Sequence, residues 1–352
     1  MEQIKIRHII SISVLFSIGN LIISLGNDNK HLWQTLIISY CLSVLILILY
    51  QKLLVKYPNM NLFEIIEYKY NNIFGKIIII LYLIMLFYNS ICIVFGFIDF
   101  ISTINQYDFL SKELIMLINF VLIGYVLKSG LSVICRFAQT TFVIILVLLS
   151  ILFIVGIQEI DVSNLLPLLP LNKENAMFQS YNLLINPFLE LTILFNVFCK
   201  LKNNKLKNKL YYISSSVSLL VLFIISIQIQ GILGSEYSAY LNYPYYTAIS
   251  CINMSKIVIK IESLSLLVVY LCAFTKFIFI VYTLILGFNS LNHTKKRYYY
   301  PILLLIHILS LVVFDNISEL NTLKLYYNLL FFIIILLIPI LINSKKIINH
   351  YT

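Results

Sequence analysis

Four ionisable side chains stand inside or at the edges of otherwise apolar stretches: Asp99, Glu190, Glu262 and Lys276. A lone charge in hydrocarbon is expensive, so such groups face a bundle interior, a water path or one another. The chemistry open to them is proton binding and charge pairing. Glu190 stands out because it follows Asn186-Pro187 by about one helical turn. Proline removes a backbone donor and clashes with the preceding turn, so a helix breaks there and leaves free backbone groups near the carboxylate. Protonation or an ammonium partner would stabilise Glu190 in that setting; a structural hydrogen bond between helices is the alternative. Lys276 pairs with a carboxylate, holds a fixed positive charge in place of a coupling cation, or snorkels to the interface. Asp99 and Glu262 fall close enough to the outer interface that simple solvent exposure competes with a buried role. Gly19 and Asn20 mark a second interruption, in Ser17-Ile18-Gly19-Asn20. An unwound backbone there would offer groups to a small polar ligand, although close helix packing also explains the glycine.

No other reactive constellation is recognisable. The six cysteines, at positions 41, 92, 135, 199, 251 and 272, show no paired spacing, and most read as small buried hydrophobes. There is no phosphate-cradling loop, metal-ligand cluster or nucleophile elbow. The expectation is a protein that is not an enzyme and takes no metal and no cofactor.

Groups of this kind need a membrane bundle to position them. Of 352 residues, 61% are hydrophobic and 11% charged, with a mean hydropathy of +0.95, whereas a water-soluble domain carries roughly 25% charged residues. Only a lipid-facing surface accommodates so much Ile, Leu and Phe. Runs near 20 apolar residues occur at 9–26, 32–50, 77–104, 114–127 with its flanks, 138–157, 179–199, 210–230, 257–288, 299–314 and 326–343. The expectation is an all-α membrane protein of about ten transmembrane helices in a single domain, 1–352, with the fourth and ninth spans the weakest. The short basic start before the first run reads as the flank of a retained span rather than a cleaved signal peptide.

Charge sets the orientation. The net charge of +10 lies in the gaps between apolar runs, so membrane lipid headgroups are the expected counterpart and nucleic acid is not. Ten spans with both termini in the cytoplasm place 18 basic residues inside: Lys5, Arg7, Lys52, Lys56, Lys69, Lys76, Lys128, Arg136, the five lysines from Lys200 to Lys209, Lys295, Lys296, Arg297, Lys345 and Lys346. The opposite side receives 6: Lys30, Lys112, Lys173, Lys256, Lys260 and Lys324. That asymmetry follows the positive-inside rule.

Two five-span halves, 9–157 and 179–343, resemble each other. Spans 1 and 6 both carry breaks. Spans 3 and 8 are both overlong, at about 42 and 48 Å as helices against a core near 30 Å. Spans 2 and 7 are uninterrupted and similar in length. Five is odd, so the second half inserts upside down, giving a five-plus-five inverted repeat. Discontinuous helices at matching positions point to a midplane binding site.

Several further segments stand in order along nearly the whole chain. They are Ile-Ser-Ile-Ser-Val-Leu-Phe-Ser-Ile-Gly at 10–19, Tyr57-Pro58, Leu62-Phe63-Glu64-Ile65 and Ile73-Phe74-Gly75-Lys76. Arg136, Asn164-Leu165-Leu166-Pro167, Gly231-Ile232-Leu233-Gly234 and Tyr243-Pro244 follow. In this order the sequence resembles the spore germination permease family, the B-type membrane subunit of nutrient germinant receptors. The resemblance implies a LeuT-like member of the amino acid–polyamine–organocation superfamily, working with A-type and C-type germinant receptor subunits. It implies the spore inner membrane or bacterial cytoplasmic membrane, and a small nutrient ligand such as an amino acid. The sequence departs from many relatives at Asp28-Asn29-Lys30-His31-Leu32-Trp33-Gln34, where they place small and acidic residues before the tryptophan. Two functions compete: a receptor subunit signalling germination, and a proton-coupled secondary transporter for an amino acid or similar amine, with Glu190 or Lys276 supporting the coupling. A water or ion pathway opened by signalling is a third.

Overall fold

The computed structural model describes residues 4–19, 21–70, 72–104, 111–167, 173–201, 207–252, 261–292, 299–314 and 316–344. Apolar runs become long helices, because a backbone in lipid must satisfy its own hydrogen bonds, and the last of them continues through Pro339. They form α3 (Leu32–Lys56), α5 (Asn72–Ile104), α6 (Lys112–Lys128), α7 (Leu131–Gly156), α10 (Leu210–Leu233), α13 (Ile261–Asn292), α14 (Tyr299–Val312) and α15 (Ile317–Ser344). Short pieces complete the chain: α1 (Ile6–Ile18) and α2 (Leu21–Ser24), α4 (Leu62–Lys69), α8 (Lys173–Leu183) and α9 (Phe195–Phe198), α11 (Ser235–Tyr240) and α12 (Pro244–Ser250).

Among the described residues, eight segments are long and apolar enough to cross a membrane. Of the ten expected spans, the two weakest fall short. Helix α6 has 17 residues and α14 has 14, about 26 and 21 Å against the 30 Å core. By contrast α5 and α13 run 33 and 32 residues, about 50 and 48 Å, longer than the core by a margin that tilt or projection beyond it takes up.

Local signals set the joints. Asn61 caps α4 by accepting from the Glu64 amide at 2.9 Å, while the Glu64 carboxylate accepts from the Asn61 amide at 2.8 Å; this is a capping box. Gly130, at φ 86°, makes the turn from α6 to α7 in a conformation a side chain would strain.

The centre is built from the discontinuous segments. Within Ile6–Ser24 and Glu174–Phe198 the most apolar windows are 82% and 83% buried, against 22% for the window on α7. Helix α1 packs on α7, α10 and α13; α13 in turn packs on α5 and α7, and α3 on α8 and α10. The outward faces of α3, α5, α7, α14 and α15 expose large apolar side chains such as Leu45, Ile84, Ile154, Leu305 and Ile340. Contiguous exposure of that kind suits lipid rather than water.

Candidate functional site

Both expected breaks are present. Helix α1 stops at Ile18, Gly19 adopts φ 15° and ψ −125°, and α2 resumes at Leu21. In the sixth segment α8 gives way to a π-turn, Leu184–Phe188, holding Pro187, with Asn186 at the non-helical angles φ −107° and ψ 105°. A 3₁₀ stretch, Leu189–Leu194, follows and carries Glu190. The proline ring and the tightened turn aim the Glu190 carboxylate inward, where its side chain is 1% exposed.

The carboxylate is fully engaged. Lys276 from the middle of α13 donates to Oε2 at 2.5 Å and is itself 3% exposed. Asn89 from α5 donates to Oε1 at 2.7 Å and to the Tyr327 hydroxyl at 2.9 Å. With its amide assigned so that the nitrogen faces the carboxylate, Asn186 donates to both oxygens, 2.8 Å from Oε2. Two lone pairs per oxygen accommodate these donors. The Lys276 ammonium also lies 5.5 Å from the Phe16 ring centre, a cation–π distance. Gly19 admits the lysine: a Cβ there would collide with Lys276 Cδ and lie 2.9 Å from the Phe16 carbonyl.

This cluster floors an open cavity. A small space of about 30 Å³ is bounded by Leu21, Asn89, Cys92, Asn186, Glu190, Lys276, Leu320, Lys324 and Tyr327. It shares Leu21, Asn186 and Lys324 with a larger cavity of about 290 Å³ whose walls run from the loop after α2 to α8 and α15. That wall is rich in amides, namely Asn27, Asn29, Gln179, Asn182, Asn321 and Asn328, with Asp28 among them. Amides both donate and accept, and Asn328 donates to Asn182 at 3.1 Å. With all groups ionised, the floor holds one carboxylate against two lysines.

Glu190, Lys276, Asn186, Pro187 and Gly19 thus lie together, and Asn20 lies outside the described residues. Asp99 and Glu262 are half-buried and line neither cavity; each accepts from a tyrosine at the start of α12, Asp99 from Tyr243 and Glu262 from Tyr246 at 3.1 Å. Neither is simply solvated. The residues 28–34 clasp neighbouring loops: Trp33 Nε1 donates to the Leu165 carbonyl at 3.3 Å, Gln34 to that of Pro167 at 2.8 Å, and Lys30 pairs with Glu236. The Glu236 carboxylate pushes the Lys30 ammonium up from its ordinary pKa.

Residues 3–321 match the family described as Spore germination protein. The chain belongs to this spore germination permease family. No curated protein matches it by sequence. Among solved structures it is similar to a substrate-bound, outward-open Na⁺-coupled sialic acid symporter, with TM-score 0.67, 10% identity, and 97% of this chain against 79% of that one covered. It is also similar to a nucleobase–cation symport-1 family transporter in a closed conformation with bromovinylhydantoin bound, with TM-score 0.66, 13% identity, and coverage of 92% and 74%. The chain is therefore an all-α integral membrane protein with the fold of LeuT-type transporters. Among the described residues no cluster of His, Cys, Asp and Glu could hold a metal ion.

Three site residues escape a reading of the sequence. Asn89 is the most legible, a carboxamide in the middle of a 33-residue apolar helix, where polar groups stand out. Lys324 counts as an exterior lysine if the last span starts at 326, but α15 begins at Ile317 and carries it to the cavity floor. Tyr327 is one of 25 tyrosines, and nothing in its neighbours distinguishes it.

Proposed function

We propose that this family member is a proton-coupled secondary transporter for an amino acid or similar small amine. The ligand enters the amide-lined cavity and engages the broken segments above the Glu190–Lys276 pair. The supporting observation is that pair itself, a fully buried carboxylate and ammonium on the floor of an open cavity, joining α13 to a discontinuous segment. Protonating Glu190 removes the charge that holds Lys276 against Gly19 and Phe16. Proton binding therefore loosens α13 from the two broken segments, which is the movement an alternating cycle needs. A ligand carboxylate is complemented by Lys324 and an ammonium by Asp28.

The proposed architecture has ten spans, with halves 9–157 and 179–343 related by inversion and both termini cytoplasmic. Membership of the family supports a second reading, a nutrient germinant receptor subunit in the spore inner membrane acting with A-type and C-type partners. There the same loosening is read by the partners instead of delivering the ligand.

The test is uptake by the full chain, reconstituted alone in proteoliposomes, of a panel of labelled amino acids and amines, with and without an imposed pH gradient. Gradient-stimulated uptake that is lost in Glu190→Gln supports the transporter. Saturable binding without uptake in any condition overturns it in favour of the receptor subunit.

A further inference from the structure

A third cavity, of about 600 Å³, opens where α1 and α7 begin and shares no residue with the two described above. Lys5, Arg7 and His8 from the start of α1 face Ser132, Arg136 and Gln139 from the first three turns of α7. The α7 residues stand three or four positions apart and are joined by Thr140, so they form one polar strip on a mostly apolar helix.

The charge here has one sign. Lys5, Arg7 and Arg136 line the cavity, all three exposed, and no carboxylate stands among the lining residues. The Lys5 ammonium and the Arg7 guanidinium have no ion-pair partner among the described residues. A concave wall of like charges raises the local concentration of counter-ions. The helices add to that field, because the 13-residue α1 and the 26-residue α7 both start at this cavity with their positive ends. Beneath the cations the floor is fixed. His8 is 8% exposed, its Nδ1 accepts from the Lys5 amide at 3.2 Å, and Gln139 is its side-chain partner.

We propose that this cavity binds an anionic phosphate group across the gap between α1 and α7. The Arg7 and Arg136 guanidinium forks match pairs of phosphate oxygens, and Lys5 supplies a point charge. The volume falls within the roughly 300–1,000 Å³ of small-molecule sites, room for a phosphate together with the glycerol that carries it. Basic pockets between helices at a membrane face are a recurrent setting for phosphate-bearing headgroups. The strip on α7 runs on from Thr140 to Val143, which is 55% exposed, so a phosphate on a membrane lipid reaches the cavity as directly as one in solution. Once bound, the phosphate fastens the start of α1, one of the two interrupted segments, to α7.

Two probes separate the sources of the phosphate. Calorimetry follows glycerol 3-phosphate binding to the full chain in phosphatidylcholine nanodiscs. Native mass spectrometry in detergent counts phosphatidic acid against phosphatidylcholine bound per chain. Saturable binding of at least one probe is expected: glycerol 3-phosphate binding assigns the site to soluble phosphate compounds, and phosphatidic acid binding alone assigns it to a lipid headgroup. Affinity for the bound probe is expected to fall about tenfold or more in Arg136→Gln and in the double variant Lys5→Gln/Arg7→Gln. The same loss is expected in Ser132→Glu, which keeps all three cations and sets a carboxylate among them. Lys52→Gln/Lys56→Gln removes two exposed charges from the end of α3 and is expected to change affinity by less than about twofold. Each variant is first shown to be monodisperse with an unfolding transition like that of the parent. Saturable binding of neither probe, undiminished binding in the cavity variants, or an equal loss in the α3 variant overturns the proposal; the last result leaves only the general attraction of a basic surface.

Discussion

The Glu190–Lys276 pair makes a sharp energetic prediction. Its side chains are 1% and 3% exposed, so breaking it strands a charge in a low-dielectric interior. Glu190→Gln leaves the Lys276 ammonium without a counter-ion and presents a new amide donor to a site already supplied with donors by Asn89 and Asn186. Removing one partner of a buried pair costs about 3–5 kcal/mol. Lys276→Met should sit at the low end of that range, because the carboxylate keeps its Asn89 and Asn186 hydrogen bonds. In the double variant neither charge of the pair remains, and only the imperfect hydrogen bonding of the introduced glutamine persists, about 1–3 kcal/mol. The double variant should therefore be more stable than the sum of the singles by several kcal/mol. The single tryptophan, Trp33, half-buried against Phe223 at 6.4 Å, gives a fluorescence signal for unfolding in mixed detergent–SDS micelles. Additivity within about 0.5 kcal/mol, as expected for independent sites, would refute the reasoning.

Other substitutions probe the supports. Gly19→Ala drives a Cβ into Lys276 and should cost about 1–3 kcal/mol by overpacking; in the same unfolding assay, Lys276→Ala should relieve most of that added penalty. Lys324→Met should change stability by less than about 1 kcal/mol, since no salt bridge joins Lys324 to a carboxylate among the described residues, yet weaken capture of a carboxylate-bearing ligand in equilibrium binding. Asn61→Ala removes the cap of α4 and should cost about 1 kcal/mol, seen as faster amide exchange confined to 62–69. Tyr243→Phe loses the hydrogen bond to Asp99, and exchange should rise across Pro244–Ser250 while the fluorescence transition stays within about 1–2 kcal/mol of the parent.

Much of the fold was legible because lipid leaves few choices. Apolar length gave the long helices, and Gly19 and Asn186-Pro187 announced their own breaks through backbone chemistry. The acidic and basic members of the pair were legible too, since each stands alone in an apolar run. Their partnership was not, because Glu190 and Lys276 lie 86 positions apart and only the packing of α13 against the 3₁₀ stretch brings them together. Lys207 was misleading in the other direction. Counted with a cytoplasmic lysine cluster, it is buried, its ammonium donating to Asn59 at 3.0 Å and the Cys199 carbonyl at 3.1 Å, while burial lowers its pKa. Charge counting proposes a side of the membrane and carries no information on the depth of a side chain.

The placement of the pair bears on which function it can serve. A buried salt bridge is weak as a source of stability, because apolar residues of similar volume often do as well; its value lies in the state it can leave. Here both partners sit where leaving is mechanically consequential. Lys276 is threaded past a glycine at the end of α1, and Glu190 hangs from a segment whose backbone bonds are already relaxed by Pro187 and the 3₁₀ turn. A proton on Glu190 would therefore act on the contact between a continuous 32-residue helix and the two interrupted segments. A proton or a ligand charge can exert that leverage on the proposed reading as a transporter and as a receptor subunit alike. Uptake separates the two, because only the transporter must also release its ligand on the opposite face.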